Sequence, residues 1–203
     1  MKIAVLGASG NAGSRITAEL ARRDHSVTAI ARHPEKIAPH ANVTPTKGDV
    51  MDQAGLVRLV TGHDAVISAV HFLASDPVRL IAAVKEAKVG RYLVVGGAGS
   101  LEVAPGVRLV TTPGFPVAFK AEAEAGGAFL DLLRAEKELN WTFLSPSALF
   151  VAGERTGKFR LGTDQLLTAP DGKSSISFED FAVALADEIE RPAHSRRRFT
   201  VGY

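Results

Sequence analysis

Cysteine is absent from all 203 residues, which excludes disulfides, thiolate metal sites and cysteine nucleophiles and fits a reducing compartment. A cytoplasmic location is expected. No apolar run approaches the roughly 20 residues that a membrane span needs, and the first residues pass straight into an apolar strand without a basic leader or cleavage site. A soluble protein with no membrane partner is expected. An excess of one charge is missing too: 24 Lys and Arg against 22 Asp and Glu leave a formal +2, too little to imply nucleic acid. The one basic cluster, Arg196 to Arg198, reads as a solvated face. The six histidines are scattered, so no metal is expected. There is no G-x-S-x-G elbow, no Walker lysine and no His-Glu-x-x-His helix. Tyrosine occurs only as Tyr92 and Tyr203, a scarcity that bears on the chemistry below.

What is present is an alternation of short aliphatic runs with helical patterns. Lys2 to Leu6 predicts a buried strand, and Asn11 to Arg23 a helix with Ala12, Ile16 and Leu20 on one face. Further strands are predicted at Ser26 to Ala31, Val43 to Lys47, Ala65 to Ser68, Tyr92 to Val95 and Trp141 to Leu144. Between them lie a short helix after Pro34 and longer ones at Asp52 to Val60, Pro77 to Ala87 and Ala118 to Glu138. Parallel strands need covering crossovers, so this pattern predicts an α/β fold with a doubly wound, Rossmann-like parallel sheet in the order 3-2-1-4-5-6. From Phe150 the rhythm becomes turn-rich, with a helix at Phe178 to Ile189 and a strand at Arg198 to Val201. The chain is read as a single domain, 1–203, with a core sheet over 1–149 and a small C-terminal lobe over 150–203.

The first turn, GASGNAG, places Gly7, Gly10 and Gly13 between a strand and a helix. Free backbone N–H groups and the positive end of the helix dipole then meet at one point, where an anion fits. Glycine permits the turn and a close approach of a pyrophosphate. Gly7, Ala8, Ser9, Gly10, Asn11, Ala12 and Gly13 are therefore assigned to a dinucleotide, with Ser9 and Asn11 as side-chain donors. At the end of the second strand stands Arg32 rather than an acidic residue, so NADP(H) is expected over NAD(H), with His33 a helper. Asp49, followed by Val50, is placed to accept from the adenine amino group. Ser68, Ala69 and Val70 leave the fourth strand where the crevice should open. His71 follows them as a candidate catalytic group.

GASGNAG, AIARHPEK, GDVMD, ISAVH, VVGGAGSL, WTFLSPSALF, GERTGKFRLG and ISFEDFAVALADEIE together resemble the atypical short-chain dehydrogenase/reductase branch of NAD(P)H-binding NADH-flavin reductases. The wider relatives are the NmrA-like and biliverdin-IXβ reductase-like proteins. The resemblance covers nearly the whole chain. It implies a single NAD(P)-binding domain with a small substrate lobe, and reduction of flavins, quinones or similar acceptors.

Ordinary members of that superfamily use a Tyr-x-x-x-Lys pair. Lys120 falls where its lysine would, as a contact for the nicotinamide ribose, but Pro116 stands in place of the tyrosine. The resemblance puts Ser100 in the region of the active-site serine, after Gly97, and Ser145-Pro146 at the nicotinamide end. The segment from Leu101 to Pro116 is long and apolar enough for a binding loop, with Leu109, Val110, Phe115 and Phe119 as an apolar wall for a flat ring. Glu154 and Arg155 are expected to pair within the lobe. The leading expectation is an NADPH-dependent oxidoreductase that passes hydride to a small aromatic or conjugated acceptor, a flavin among them, as a monomer or homodimer. A non-catalytic NADP(H)-binding redox sensor is the alternative. An epimerase or dehydratase comes third, because it needs the missing acid/base.

Overall fold

Aliphatic runs too short for helices form strands, and the amphipathic stretches between them form helices that cover both sheet faces. A computed structural model describes residues 1–203. In order it contains β1 (Lys2–Leu6), α1 (Asn11–Arg22), β2 (Ser26–Ala31), β3 (Val43–Lys47), α2 (Gln53–Val60), β4 (Ala65–Ser68), α3 (Pro77–Glu86) and β5 (Arg91–Val95). There follow β6 (Glu102–Ala104), β7 (Val107–Arg108), α4 (Val117–Ala135), β8 (Trp141–Pro146), β9 (Leu149–Val151), β10 (Arg160–Gly162), β11 (Ser175–Ser177), α5 (Phe178–Glu190) and β12 (Arg197–Gly202). The stretch after Pro34 makes only a single 3-10 turn, Pro34–Lys36.

The main sheet has eight strands in the order β10-β12-β8-β5-β4-β1-β2-β3. The predicted order is its right-hand part, with β8 as the sixth strand. All neighbours are parallel except β10 and β12. The order reverses between β1 and β4, paired from Ile3 with Ala65 to Leu6 with Ser68, and that reversal opens a crevice at the carboxyl edge. One face of the sheet is covered by α1 and α5 around Ile16, Leu20, Phe181 and Leu185. The other is covered by α2, α3 and α4 around Leu56, Leu80, Phe129 and Leu133. Each such fully buried side chain contributes roughly 1.5–3 kcal/mol relative to exposure.

The C-terminal residues do more than lean on the sheet edge. β12 and β10 extend the main sheet, α5 packs along α1, and β9 with β11 forms a separate parallel ladder. Arg198 corrects the expected solvated cluster: β12 turns its side chain into the interior, where it binds Asp164 and reaches the Ser100 hydroxyl at 3.2 Å. Arg196 and Arg197 remain exposed. The connection from Leu101 to Pro116 is not featureless either. It folds as the β6–β7 hairpin and a 3-10 turn at Leu109–Thr111, tied to the C-terminal residues by Glu102 N donating to Asp164 O at 2.8 Å.

Candidate functional site

The three glycines of the turn do two different jobs. Gly7 has φ +78, and a Cβ there would lie 2.6 Å from the Ala69 carbonyl oxygen. At Gly13 a Cβ would lie 2.1 Å from the Gly7 carbonyl oxygen. Both glycines are demanded by the packing of β1, β4 and α1. Gly10 is different: a Cβ would meet only the Gly7 oxygen, at 3.3 Å, with open space beyond. Ser9, Gly10 and Asn11 are all exposed.

The amides of Gly7 and Ala8 donate to Ile30 O at 3.0 and 3.2 Å, and that of Gly10 donates to Gly7 O at 3.0 Å. Ala8 is fully buried. These two observations correct the expectation for Gly7 and Ala8, which shape the loop rather than offer amides to a ligand. The start of α1, at Asn11, Ala12 and Gly13, has no side-chain cap. By contrast Asp52 caps α2 through Gly55 N at 3.0 Å, Asp76 caps α3 through Val78 N at 2.9 Å, and Ser177 caps α5 through Asp180 N at 2.9 Å. α4 also starts without a side-chain cap, at Pro116. Only α1, however, starts at a glycine turn at the crevice, where the missing Cβ of Gly10 leaves the approach open, and that combination fits a pyrophosphate.

Arg32 leaves β2 exposed and forms no ion pair, which suits a 2′-phosphate. His33 is turned toward Glu35, with Nδ1 3.1 Å from Oε1, so its ring is already engaged. Asp49 is exposed and closes its own turn, accepting from Met51 N at 2.9 Å through Oδ1. It borders a depression lined by Lys47, Gly48, Asp52 and Arg58. Val50 packs on the α2 side of the core.

At the reversal point Ala69 N donates to Leu6 O at 2.9 Å, Ser68 is buried, and Val70 is half-buried. His71 is on the surface with its side chain 86% exposed, and its Nδ1 lies 3.2 Å from Glu122 Oε1. Glu122, which no sequence pattern had singled out, also accepts from the amides of Phe72 at 2.7 Å and Leu73 at 3.0 Å. The Phe72 ring lies edge-on to Phe129 at 6.1 Å and stacks toward Phe143 at 6.4 Å. Gly126 leaves room for that ring, since a Cβ there would stand 2.6 Å from it. Gly97 is half-buried, with a would-be Cβ 3.7 Å from Phe72. Lys120, in the first turn of α4, is exposed.

Ser100 does not present its hydroxyl to the crevice. It is buried, and the oxygen accepts from Arg198 on β12, so its geometry corrects the assignment to an acceptor carbonyl. Ser145 and Pro146 end β8 in full burial. The Ser145 Oγ has no hydrogen-bond partner in the protein, an unusual state for a buried hydroxyl. The two tyrosines stand elsewhere. Tyr92 is buried within β5, where burial pushes its phenol well up, and its hydroxyl makes no well-formed hydrogen bond. Tyr203 Oη lies 2.9 Å from both Ser177 Oγ and Asp180 Oδ2, and burial raises its pKa.

The residues after β9 strap across α1 and α5. Arg155 does not pair with Glu154: it reaches α1, where both Glu19 oxygens accept from it at 2.8 Å. Glu154 instead uses its carbonyl, which accepts from Ser177 Oγ at 2.8 Å. Gly153 N donates to Glu179 at 2.9 Å and Gly157 N to Asp180 at 2.7 Å. Burial works to raise Glu179, but the Gly153 amide and Arg15 outweigh it and hold the carboxyl low. Of the expected apolar wall, Val110 is buried, Leu109 and Phe115 are half-buried, and Phe119 is exposed together with Val117 and Leu73.

Residues 7–192 match a family described as NAD(P)H-binding. The Bacillus subtilis (strain 168) protein YwnB, named as uncharacterized, is 40% identical over 99% of this chain and 98% of its own. A Bacteroides thetaiotaomicron structure with the provisional name of epimerase is 42% identical, covers 100% of this chain and 96% of its own, and superposes with a TM-score of 0.95. A Streptococcus pneumoniae TIGR4 structure, provisionally named NADH-flavin reductase, is 38% identical over 100% of this chain and 99% of its own, with a TM-score of 0.82. No helix is long and apolar enough to cross a membrane.

Proposed function

This chain belongs to the NAD(P)H-binding family, and on that premise we propose that it is an NADPH-dependent reductase of a flavin, quinone or similar conjugated acceptor. The observation that carries the reading is the position of the tyrosines. Neither is on α4 beside Lys120: one is sealed within β5 and the other is held by Ser177 and Asp180. Chemistry at a carbinol, as in an epimerase, needs an acid/base there. An electron-poor ring accepts hydride first and a proton afterwards, so hydride transfer does not need a tyrosine beside Lys120, and positioning carries most of that step.

The bound coenzyme supplies a hydride, and the protein supplies its placement. The open start of α1 holds the pyrophosphate, Gly10 lets it approach, and Arg32 pairs with the 2′-phosphate. Asp49 borders the adenine, while Ser68 to Val70, Gly97, Ser145 and Pro146 wall the nicotinamide end. Lys120, exposed in the first turn of α4, would contact the ribose. Leu73, Val117 and Phe119, exposed by 65, 87 and 65%, offer an apolar rim for a flat ring near α4.

Calorimetry with NADPH and NADH tests the cofactor arm. Arg32→Ala should weaken NADPH about 10- to 100-fold and leave NADH unchanged, whereas equal losses for both would remove the 2′-phosphate assignment. NADPH oxidation in the presence of free flavin or menadione tests the acceptor arm. Tight NADPH binding without turnover of any conjugated acceptor would replace this reading with a redox sensor.

A further inference from the structure

We propose that His71, oriented by Glu122, delivers the proton that completes reduction of the acceptor; the inference rests on the reductase reading. The two residues come from separate crossovers, His71 from the exit of β4 and Glu122 from the second turn of α4, and they meet beside the crevice with Nδ1 3.2 Å from Oε1. This is more than a chance surface pair, because the segment that carries His71 is fixed at three points. Glu122 binds the amides of Phe72 and Leu73, and the Phe72 ring is wedged against Phe129, Phe143 and the Cβ-free surface of Gly126. The imidazole is thus held at its root while the ring stays open to solvent, 86% exposed.

A carboxylate facing Nδ1 selects the tautomer. Glu122 only accepts, so Nδ1 keeps its proton and Nε2 is the end that exchanges with a ligand. Two-electron reduction of a quinone by hydride leaves an oxyanion that needs one proton. The imidazolium gives it from Nε2, the N–H bond breaking as the O–H bond forms, and the neutral ring left behind regains a proton from water. The balance is NADPH, one proton and quinone to NADP⁺ and hydroquinone. Glu122 is a positioning residue and does not touch the acceptor. Exposure, which argues against a structural role for His71, is what this recharging step requires. The neighbouring rim of Leu73 and Phe119 would seat the ring against it.

Two measurements test this. In the unliganded chain, ¹⁵N NMR of the neutral His71 ring should show Nδ1 protonated, and Glu122→Gln should shift the population toward the Nε2-protonated form. A ring that is Nε2-protonated in the unaltered chain overturns the proposal, whether or not the enzyme turns over. With menadione as acceptor, His71→Ala should lower kcat about 100-fold with NADPH affinity unchanged within twofold, and added imidazole should restore part of the rate through the open surface. An unaltered kcat in His71→Ala, or a loss that imidazole does not rescue while NADPH still binds, overturns it and leaves the reductase reading standing. Absence of menadione and flavin turnover in the unaltered chain overturns both.

Discussion

Helices α1 and α5 lie side by side on one sheet face, and both begin at the carboxyl edge, yet one start is open and the other is closed. At α5, Ser177 caps the backbone, acidic Glu179 and Asp180 fill the first turn, and both carboxylates are themselves bound by Gly153, Gly157, Arg15 and Tyr203. At α1, the cap position is Gly10, no acidic residue stands in the first turn, and no side chain accepts from the first backbone N–H groups. The same partial positive charge is neutralised in one helix and left available in the other. Sites for anionic ligands are read from that difference rather than from glycine counts, because Gly7 and Gly13 are needed for packing whether or not anything binds.

Closing the open start should have the largest effect. Gly10 sits at φ −79, ψ 173, a backbone that a capping residue adopts, so Gly10→Asp should alter stability by no more than about 0.5 kcal/mol while the added carboxylate weakens NADPH at least 100-fold. Calorimetry and a urea titration on the same sample check both halves, and undiminished NADPH binding would break the comparison. Loosening the strap over both helices comes next. Burial raises the Glu19 pKa, but Arg155 and Arg23 outweigh it and hold the carboxyl below its ordinary value. Its stabilisation is therefore complete above about pH 4.3 and is lost as the pH falls through the lower folded value. Glu19→Gln should cost about 2 kcal/mol at neutral pH and flatten the acid limb of a stability-against-pH curve. Opening the closed start should matter least: Ser177→Ala should cost about 1 kcal/mol in chemical denaturation and leave the NADPH dissociation constant within twofold. A large loss of binding in that variant would mean that the two starts are coupled.

The helices and the main-sheet strands and their order through β8 were legible because each rests on a local pattern of aliphatic runs or 3.6-residue spacing, whereas the β6–β7 hairpin was read as a loop. The glycine turn and Arg32 were legible for the same reason, being set by position relative to a strand end. What escaped were pairings across distance. Glu122 is one carboxylate in an alanine-rich helix start, and nothing local marks it as the tether of residues 71–73. Arg155 and Glu19 are 136 residues apart and Arg198 and Ser100 are 98 apart; Arg155 was read locally as half of a lobe pair and Arg198 as part of a solvated face, while the resemblance put Ser100 in the active site.

The sequence alone determined the alternation of elements, the strained glycine turn and the cation after the second strand, because backbone sterics and burial periodicity act within a few residues. Only the tertiary structure decided which buried hydroxyls are occupied and which carboxylate meets His71. Those outcomes depend on side chains brought together by the sheet, and hydrogen-bond geometry over a few ångströms is not encoded in any one stretch of chain.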